Sequence, residues 1–259
     1  MKISVLAENH AGSLTRAEHG LSYFIEFEEH RILFDTGQSD LFLENAEKIG
    51  LKIENPDYIV LSHGHFDHGN GLEYLDHGNL VCHPGCFVKR FGKNSSRYIG
   101  LKNTMEELSA KFNITTSADP WPLGKKILFL GKIPRSTDFE SVNTTFILEN
   151  GNPDFVEDDS AIAMILPDGL FIVTGCGHAG IVNTIEHARK ITGVNRISGI
   201  MGGFHLKEID VQTLETVRYL KENNVRHVLP SHCTELPALT AFYSNFGIRQ
   251  IKTGDVLEF

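Results

Sequence analysis

Residues 61–70 read LSHGHFDHGN, which sets His63, His65, Asp67 and His68 within six positions. The apolar run DYIVL at 57–61 leads into them as a β-strand, and if its alternation persists, His63 and His65 point to the same side. Gly64 and Gly69 then permit the tight turn that brings Asp67 and His68 round to one centre. With 13 histidines in 259 residues, four such residues in this arrangement arise by chance in on the order of one chain in a thousand. The bland alternative, exposed loop histidines around a turn, is the weaker reading.

A metal site needs ligands from elsewhere, and candidates stand where other apolar strands end. LFIVTG runs into CGHAGI, placing Cys176 and His178 in a Gly-rich turn before a helix. GIMGGFHL supplies His205, and RHVLPSHCTE supplies His232 and Cys233. Three strand ends, each followed by histidine, point to one rim. Asp35, at the end of RILFDTG, has the position of a residue that orients the histidine loop through hydrogen bonds. Asp158 and Asp159 in VEDDSA read equally well as orienting groups or as an exposed acidic loop. His77 and His83 lack partner spacing and read as ordinary, and Cys233 reads as structural.

The rest of the chain limits what this cluster is attached to. Strand-like runs such as KISVLA, LSYFIEF, NLVCHPG, AIAMILP and ISGIMGG alternate with stretches of helical spacing at 39–49, 180–192, 210–223 and 236–246. FEEHRI and LPDGLF supply hairpin turns, so an α/β chain with mixed sheets is expected, organised as a single domain over 1–259. The segment 91–126 has the weakest periodicity and reads as a lid or pocket wall, in which Phe112 and Trp121 suit either a flat ligand or plain packing.

The formal net charge is −9, with 33 acidic residues against 24 basic ones. That balance argues against a phosphate-backbone binder, so no nucleic-acid partner is expected. Cys82, Cys86, Cys176 and Cys233 form no CxxC pair, there is no signal-like apolar amino terminus, and no run approaches the ~18 apolar residues of a membrane span. A cytoplasmic chain with no membrane partner is the expectation. No P-loop or nucleophile elbow appears, which leaves a metal to carry the chemistry.

The sequence resembles the metallo-β-lactamase superfamily. Its HxHxDH signature is matched by His63, His65, Asp67 and His68, preceded by the FDTG strand end, and the likeness extends over essentially the whole chain. The resemblance implies a four-layer αββα sandwich with a metal site at one edge of its sheets. TGCGHAGI, GGFHL and PSHCTE resemble a narrower group of stand-alone hydrolase-like members, some of them named dihydropterin-ribofuranosylaminobenzene phosphate synthase. Two departures stand out: Cys176 occupies the place of the superfamily's TGD aspartate, and 84–177 contains no histidine.

What the resemblance then implies is a dinuclear site, with His63, His65 and His178 on one ion and Asp67, His68 and His232 on a second. Cys176 is a further candidate ligand, and single-ion occupancy stays open. The ions would be zinc, with iron or manganese as alternatives. The expected activity is hydrolysis of an ester, phosphoester or lactone by metal-bound water, with Asp67 moving the proton and His205 stabilising charge. The alternatives are a pterin transferase, a di-iron redox protein and a non-catalytic metal or ligand sensor. The expected partner is a small molecule, phosphorylated or pterin-like.

Overall fold

The computed structural model describes residues 1–259. The chain begins with strands β1 (Lys2–Ala7), β2 (Ser22–Phe27) and β3 (His30–Phe34), followed by helix α1 (Leu41–Lys48), β4 (Tyr58–Leu61), the single-turn α2 (Phe66–Gly69) and β5 (Gly78–Cys82). Next come β6 (Arg90–Gly92), α3 (Met105–Ser109), β7 (Phe112–Thr116), β8 (Trp121–Gly124), β9 (Ile127–Phe129) and β10 (Phe146–Leu148). The remainder comprises β11 (Ala161–Leu166), β12 (Gly169–Thr174), α4 (Ile181–Thr192), β13 (Ile197–Gly203), α5 (Val211–Glu222), β14 (His227–Ser231), α6 (Leu236–Phe246) and β15 (Val256–Glu258).

These elements fall into two compact units. The first holds residues 1–118, 145–154 and 251–259. Its seven-stranded mixed sheet runs β15-β1-β2-β3-β4-β5-β7, with β3, β4, β5 and β7 parallel. Helix α1 buries Phe42 and Ala46 in a cluster with Leu6, Phe24, Leu33, Ile59 and Leu80. Burying each side chain of leucine size contributes about 1.5–3 kcal/mol. Because β3 and β4 are parallel, Asp35 and Ser62–His68 leave the sheet at the same end. Carboxyl ends of adjacent parallel strands are where ligand-binding loops collect.

The second unit holds residues 119–144 and 155–250. Its six-stranded sheet runs β14-β13-β12-β11-β9-β8, with β12, β13 and β14 parallel. Every residue of β12 and β13 is buried, the composition expected of strands covered on both faces. Ile181, Ile185 and Ala188 of α4, Val217 and Leu220 of α5, and Phe242 of α6 share one apolar cluster with Leu170, Ile172, Ile197 and Ile200 of the sheet. The loops after β12, β13 and β14, carrying Cys176 to Gly180, His205 and His232–Cys233, again leave at one end.

The four long helices lie where their spacing places them, and both proposed hairpins form, β2–β3 around Glu28–Glu29 and β11–β12 around Pro167–Asp168. The segment 91–126 is more regular than its weak periodicity suggests. Thr104 and Glu107 make a reciprocal capping box that starts α3, and β-branched Ile114, Thr115 and Thr116 carry β7 into the main sheet. Phe112 is therefore a packing residue, 4% exposed, whereas Trp121 is 41% exposed. Only β6, paired with β10, stands outside the two large sheets.

Candidate metal centre

Asp35 organises the histidine loop of the first unit. It sits at φ 55°, a left-handed conformation unusual for a residue with a side chain, with its carboxylate fully buried. Oδ1 accepts the Ser62 backbone N–H at 2.7 Å, and Oδ2 accepts the Ser62 hydroxyl and His68 Nδ1–H, each at 2.7 Å. Ser62 Oγ, its proton committed to Asp35, accepts His63 Nδ1–H at 2.9 Å. Both His63 and His68 are thereby held as tautomers whose Nε2 lone pair faces away from the network.

His63 Nε2 lies 2.9 Å from His65 Nδ1, and the His63 and His68 ring centroids are 4.2 Å apart. Two nitrogens bound about 2.0–2.1 Å from a tetrahedral ion are about 3.3 Å apart, so this convergence fits a shared cation. Gly64 separates the two ligands for a reason other than backbone freedom. Its φ is not positive, but a Cβ there would stand 1.8 Å from the Cys86 carbonyl oxygen. Asp67, 4% exposed, places Oδ2 3.1 Å from His19 Nε2 and 3.8 Å from His68 Nε2. The Phe146 ring meets His65 edge-on at 5.0 Å, which gives the loop an aromatic wall.

In the second unit, Cys176 and His178 occupy the turn between β12 and α4, where Gly177 and Gly180 take φ 68° and 104°. Asp159 fixes that turn: its Oδ2 accepts the Ala179 N–H at 2.8 Å. Burial pushes the Asp159 carboxyl up to about 7, against the Ala179 and His178 N–H groups and the Arg135 charge, which hold it down. Glu140 receives the Val182 and Asn183 N–H groups at 2.9 and 2.8 Å, capping α4 from a distant part of the chain, and burial raises its pKa.

His205 and His232 both adopt φ 50°. Left-handed backbone at a side-chain-bearing residue costs on the order of 1–3 kcal/mol and collects at functional sites. The His178 and His205 ring centroids are 4.2 Å apart, and Cys176, His205 and Cys233 each place one ligand atom within 4.8 Å of the others. Burial raises the Cys233 thiol, but hydrogen bonds from Cys176 and His205 and the charge of His232 and His205 outweigh it and leave the pKa well below the ordinary thiol value.

His63, His65, Asp67, His68 and Asp35 thus belong to the first unit, and Cys176, His178, His205 and His232 to the second. Two neighbours escaped the sequence reading, His19 on Asp67 and Phe146 on His65, and Cys233, which reads as structural in the sequence, lies beside Cys176. Asp158 and Asp159 are buried, at 2% and 1% exposure, so the exposed-loop reading does not hold. His83 is a local cap, its Nδ1 accepting the Gly85 N–H, and His77 is exposed and bonded to Asn55.

The loop-borne imidazoles and carboxylate after parallel strands define a class, and the comparisons with known proteins agree: the chain belongs to the metallo-β-lactamase superfamily and has its fold. The model of that superfamily matches residues 15–79. An uncharacterized protein of Methanocaldococcus jannaschii, MJ0448, is 35% identical over 246 residues, covering 92% of each chain. The same organism's 7,8-dihydropterin-6-methyl-4-(beta-D-ribofuranosyl)-aminobenzene-5'-phosphate synthase is 33% identical, covering all of this chain and 97% of its own. Among solved structures, Tm1679, described as a metal-dependent hydrolase of the beta-lactamase superfamily, superposes with a TM-score of 0.89 at 30% identity, covering 100% of this chain and 99% of its own. No helix is long and apolar enough to cross a membrane.

Proposed function

We propose that this protein is a metal-dependent hydrolase acting on an ester, phosphoester or lactone centre of a small molecule. The observation that carries the reading is the Asp35–Ser62–His63 and Asp35–His68 network, which fixes two imidazoles with Nε2 lone pairs available to a cation. From motif spacing and superfamily membership, His63, His65 and His178 are assigned to one divalent ion, and Asp67, His68 and His232 to a second, with Cys176 a further ligand. Imidazole and carboxylate donors suit zinc, iron and manganese alike, and zinc is the ion we expect. A bound ion of this kind supplies Lewis-acid polarisation of a substrate oxygen and acidifies water at neutral pH.

The chain's own groups supply the remainder. Asp67 can accept a proton from the nucleophile or deliver one to the leaving oxygen, and His19 holds its Oδ2. His205, whose ring centroid lies 4.2 Å from that of His178, would stabilise charge that develops on the substrate. Phe146 restricts approach to His65.

The full-length likeness to the pterin-linked synthase favours a second reading, transfer in place of hydrolysis. A cation held by the same donors would stabilise a phosphate or pyrophosphate as leaving group while an organic nucleophile attacks. On that reading the substrate is a phosphorylated, pterin-like small molecule. The two readings part on one assay with metal-loaded protein. Phosphoesters, lactones and a pterin pyrophosphate are incubated with and without ribofuranosylaminobenzene phosphate. Turnover without the second substrate supports hydrolysis, and strict dependence on it supports transfer. Elemental analysis of protein purified without added metal comes first: no bound metal, and none regained on incubation, would end both.

A further inference from the structure

Three neighbouring loops in the second unit bring two thiols and an imidazole together. Cys176 follows β12, His205 follows β13 and Cys233 follows β14, and the strand register sets the loops level, with Gly202 opposite Thr174 and Gly203 opposite Ser231. One ligand atom from each of the three lies within 4.8 Å of the other two. Gly203 makes the approach possible, because a Cβ there would lie 2.6 Å from Cys233 Sγ and 3.0 Å from Cys176 Cα. The Cys233 thiol instead reaches the Cys176 carbonyl at 3.4 Å. His205 and His232, the residue before Cys233, both hold left-handed backbone to present this face.

We propose that Cys176, His205 and Cys233 form a thiolate-rich ligand set for a soft divalent cation of the zinc class. Sulfur binds zinc at about 2.3 Å and nitrogen at about 2.0–2.1 Å, so tetrahedral ligand atoms stand about 3.3–3.8 Å apart. Ligand atoms that lie within 4.8 Å of one another need close by no more than about 1–1.5 Å to reach that geometry. Two S–H bonds are given up and two metal–sulfur bonds form, with both protons released to solvent. Thiolate donors select zinc or iron over magnesium or calcium. The substitution of Cys176 for the superfamily's usual carboxylate is then a change of ligand softness, made effective by a second cysteine alongside.

This inference rests on the metal-binding reading above and sharpens it by making sulfur a ligand and His205 its companion. Reduced, chelator-treated full-length protein titrated anaerobically with Co2+ tests it. The expected result is sulfur-to-cobalt charge-transfer absorption in wild type, about halved in Cys233→Ser and in Cys176→Ser and lost in the double variant, with at least tenfold weaker Co2+ binding in His205→Gln. Cobalt bound with ligand-field bands alone, or a charge-transfer band at full strength in Cys233→Ser, would overturn the sulfur site and leave the histidine centre standing. Failure to bind Co2+ at all would remove both. X-ray absorption on zinc-loaded wild type asks the same question without a variant: sulfur scattering at about 2.3 Å is expected, and a shell of nitrogen and oxygen alone overturns the assignment.

Discussion

His68 Nδ1 lies 2.7 Å from Asp35 Oδ2, with both side chains fully buried. The pair joins β3 to the histidine loop after β4, and through Ser62 the same carboxylate also directs His63. Asp35→Asn keeps the shape but replaces one acceptor oxygen with a donor, facing either His68 Nδ1–H or Ser62. We expect zinc affinity to fall by about 10- to 100-fold, the usual cost of losing a partner that orients a metal-binding histidine. Stability should fall by about 1–3 kcal/mol from the mispaired buried groups. Chelator competition and urea titration measure the two effects, and zinc affinity within twofold of wild type would show that Asp35 does not set ligand orientation.

Asp159 links stability to pH. Its carboxyl is raised from 3.8 to about 7, so between those values the folded state binds the proton more tightly than the unfolded chain does. The contribution is fully present below pH 3.8 and is lost as pH rises through 7. Metal-free wild type should therefore lose on the order of 1–3 kcal/mol more than Asp159→Asn between pH 5 and pH 8 in urea titrations. Equal pH dependence in the two proteins would show that Asp159 titrates normally.

What the sequence made legible follows from distance along the chain. The donors of HGHFDH are contiguous, and four helices carry their own periodicity, so both could be read directly. Cys233 and Cys176 stand 57 residues apart, and only the parallel register of β12, β13 and β14 makes them neighbours. His19 has no local reason to face Asp67. Asp159 looks like half of a solvated acidic pair because the backbone N–H groups that justify its burial come from the turn at His178–Ala179, in another segment. The Thr104–Glu107 box was a readable signal for α3 that the neighbouring Gly and Ser residues masked. In the sequence Gly64 reads as permitting a tight turn, but what excludes a side chain there is the carbonyl of Cys86.

His19 is 58% exposed on its side chain, yet its Nε2 contacts the 6% exposed carboxylate of Asp67. An exposed partner adds little to stability, but it can hold the carboxylate's rotamer in place. His19→Ala should leave unfolding within about 0.5 kcal/mol of wild type. It should lower kcat by about 10-fold, the small end of effects seen for groups that orient a metal ligand. Retained kcat on the substrate found by the screen would make the contact incidental.

Gly64→Ala tests whether the glycine between His63 and His65 is required for space. A Cβ at 64 would stand 1.8 Å from the Cys86 oxygen and 2.5 Å from its carbonyl carbon, both backbone atoms that no rotamer change can move aside. Relief requires shifting one of the two loops, at a cost on the order of 3 kcal/mol or more. The control is Gly50→Ala, where φ is +70° but nothing lies within 4 Å of the added carbon. That change carries backbone strain alone, about 1 kcal/mol. Urea titration should rank the variants in that order, and zinc affinity should fall only in Gly64→Ala, because only there are the flanking imidazoles displaced. If Gly64→Ala costs no more than Gly50→Ala, the loop yields easily and the 2.9 Å convergence of His63 and His65 does not depend on the Cys86 carbonyl.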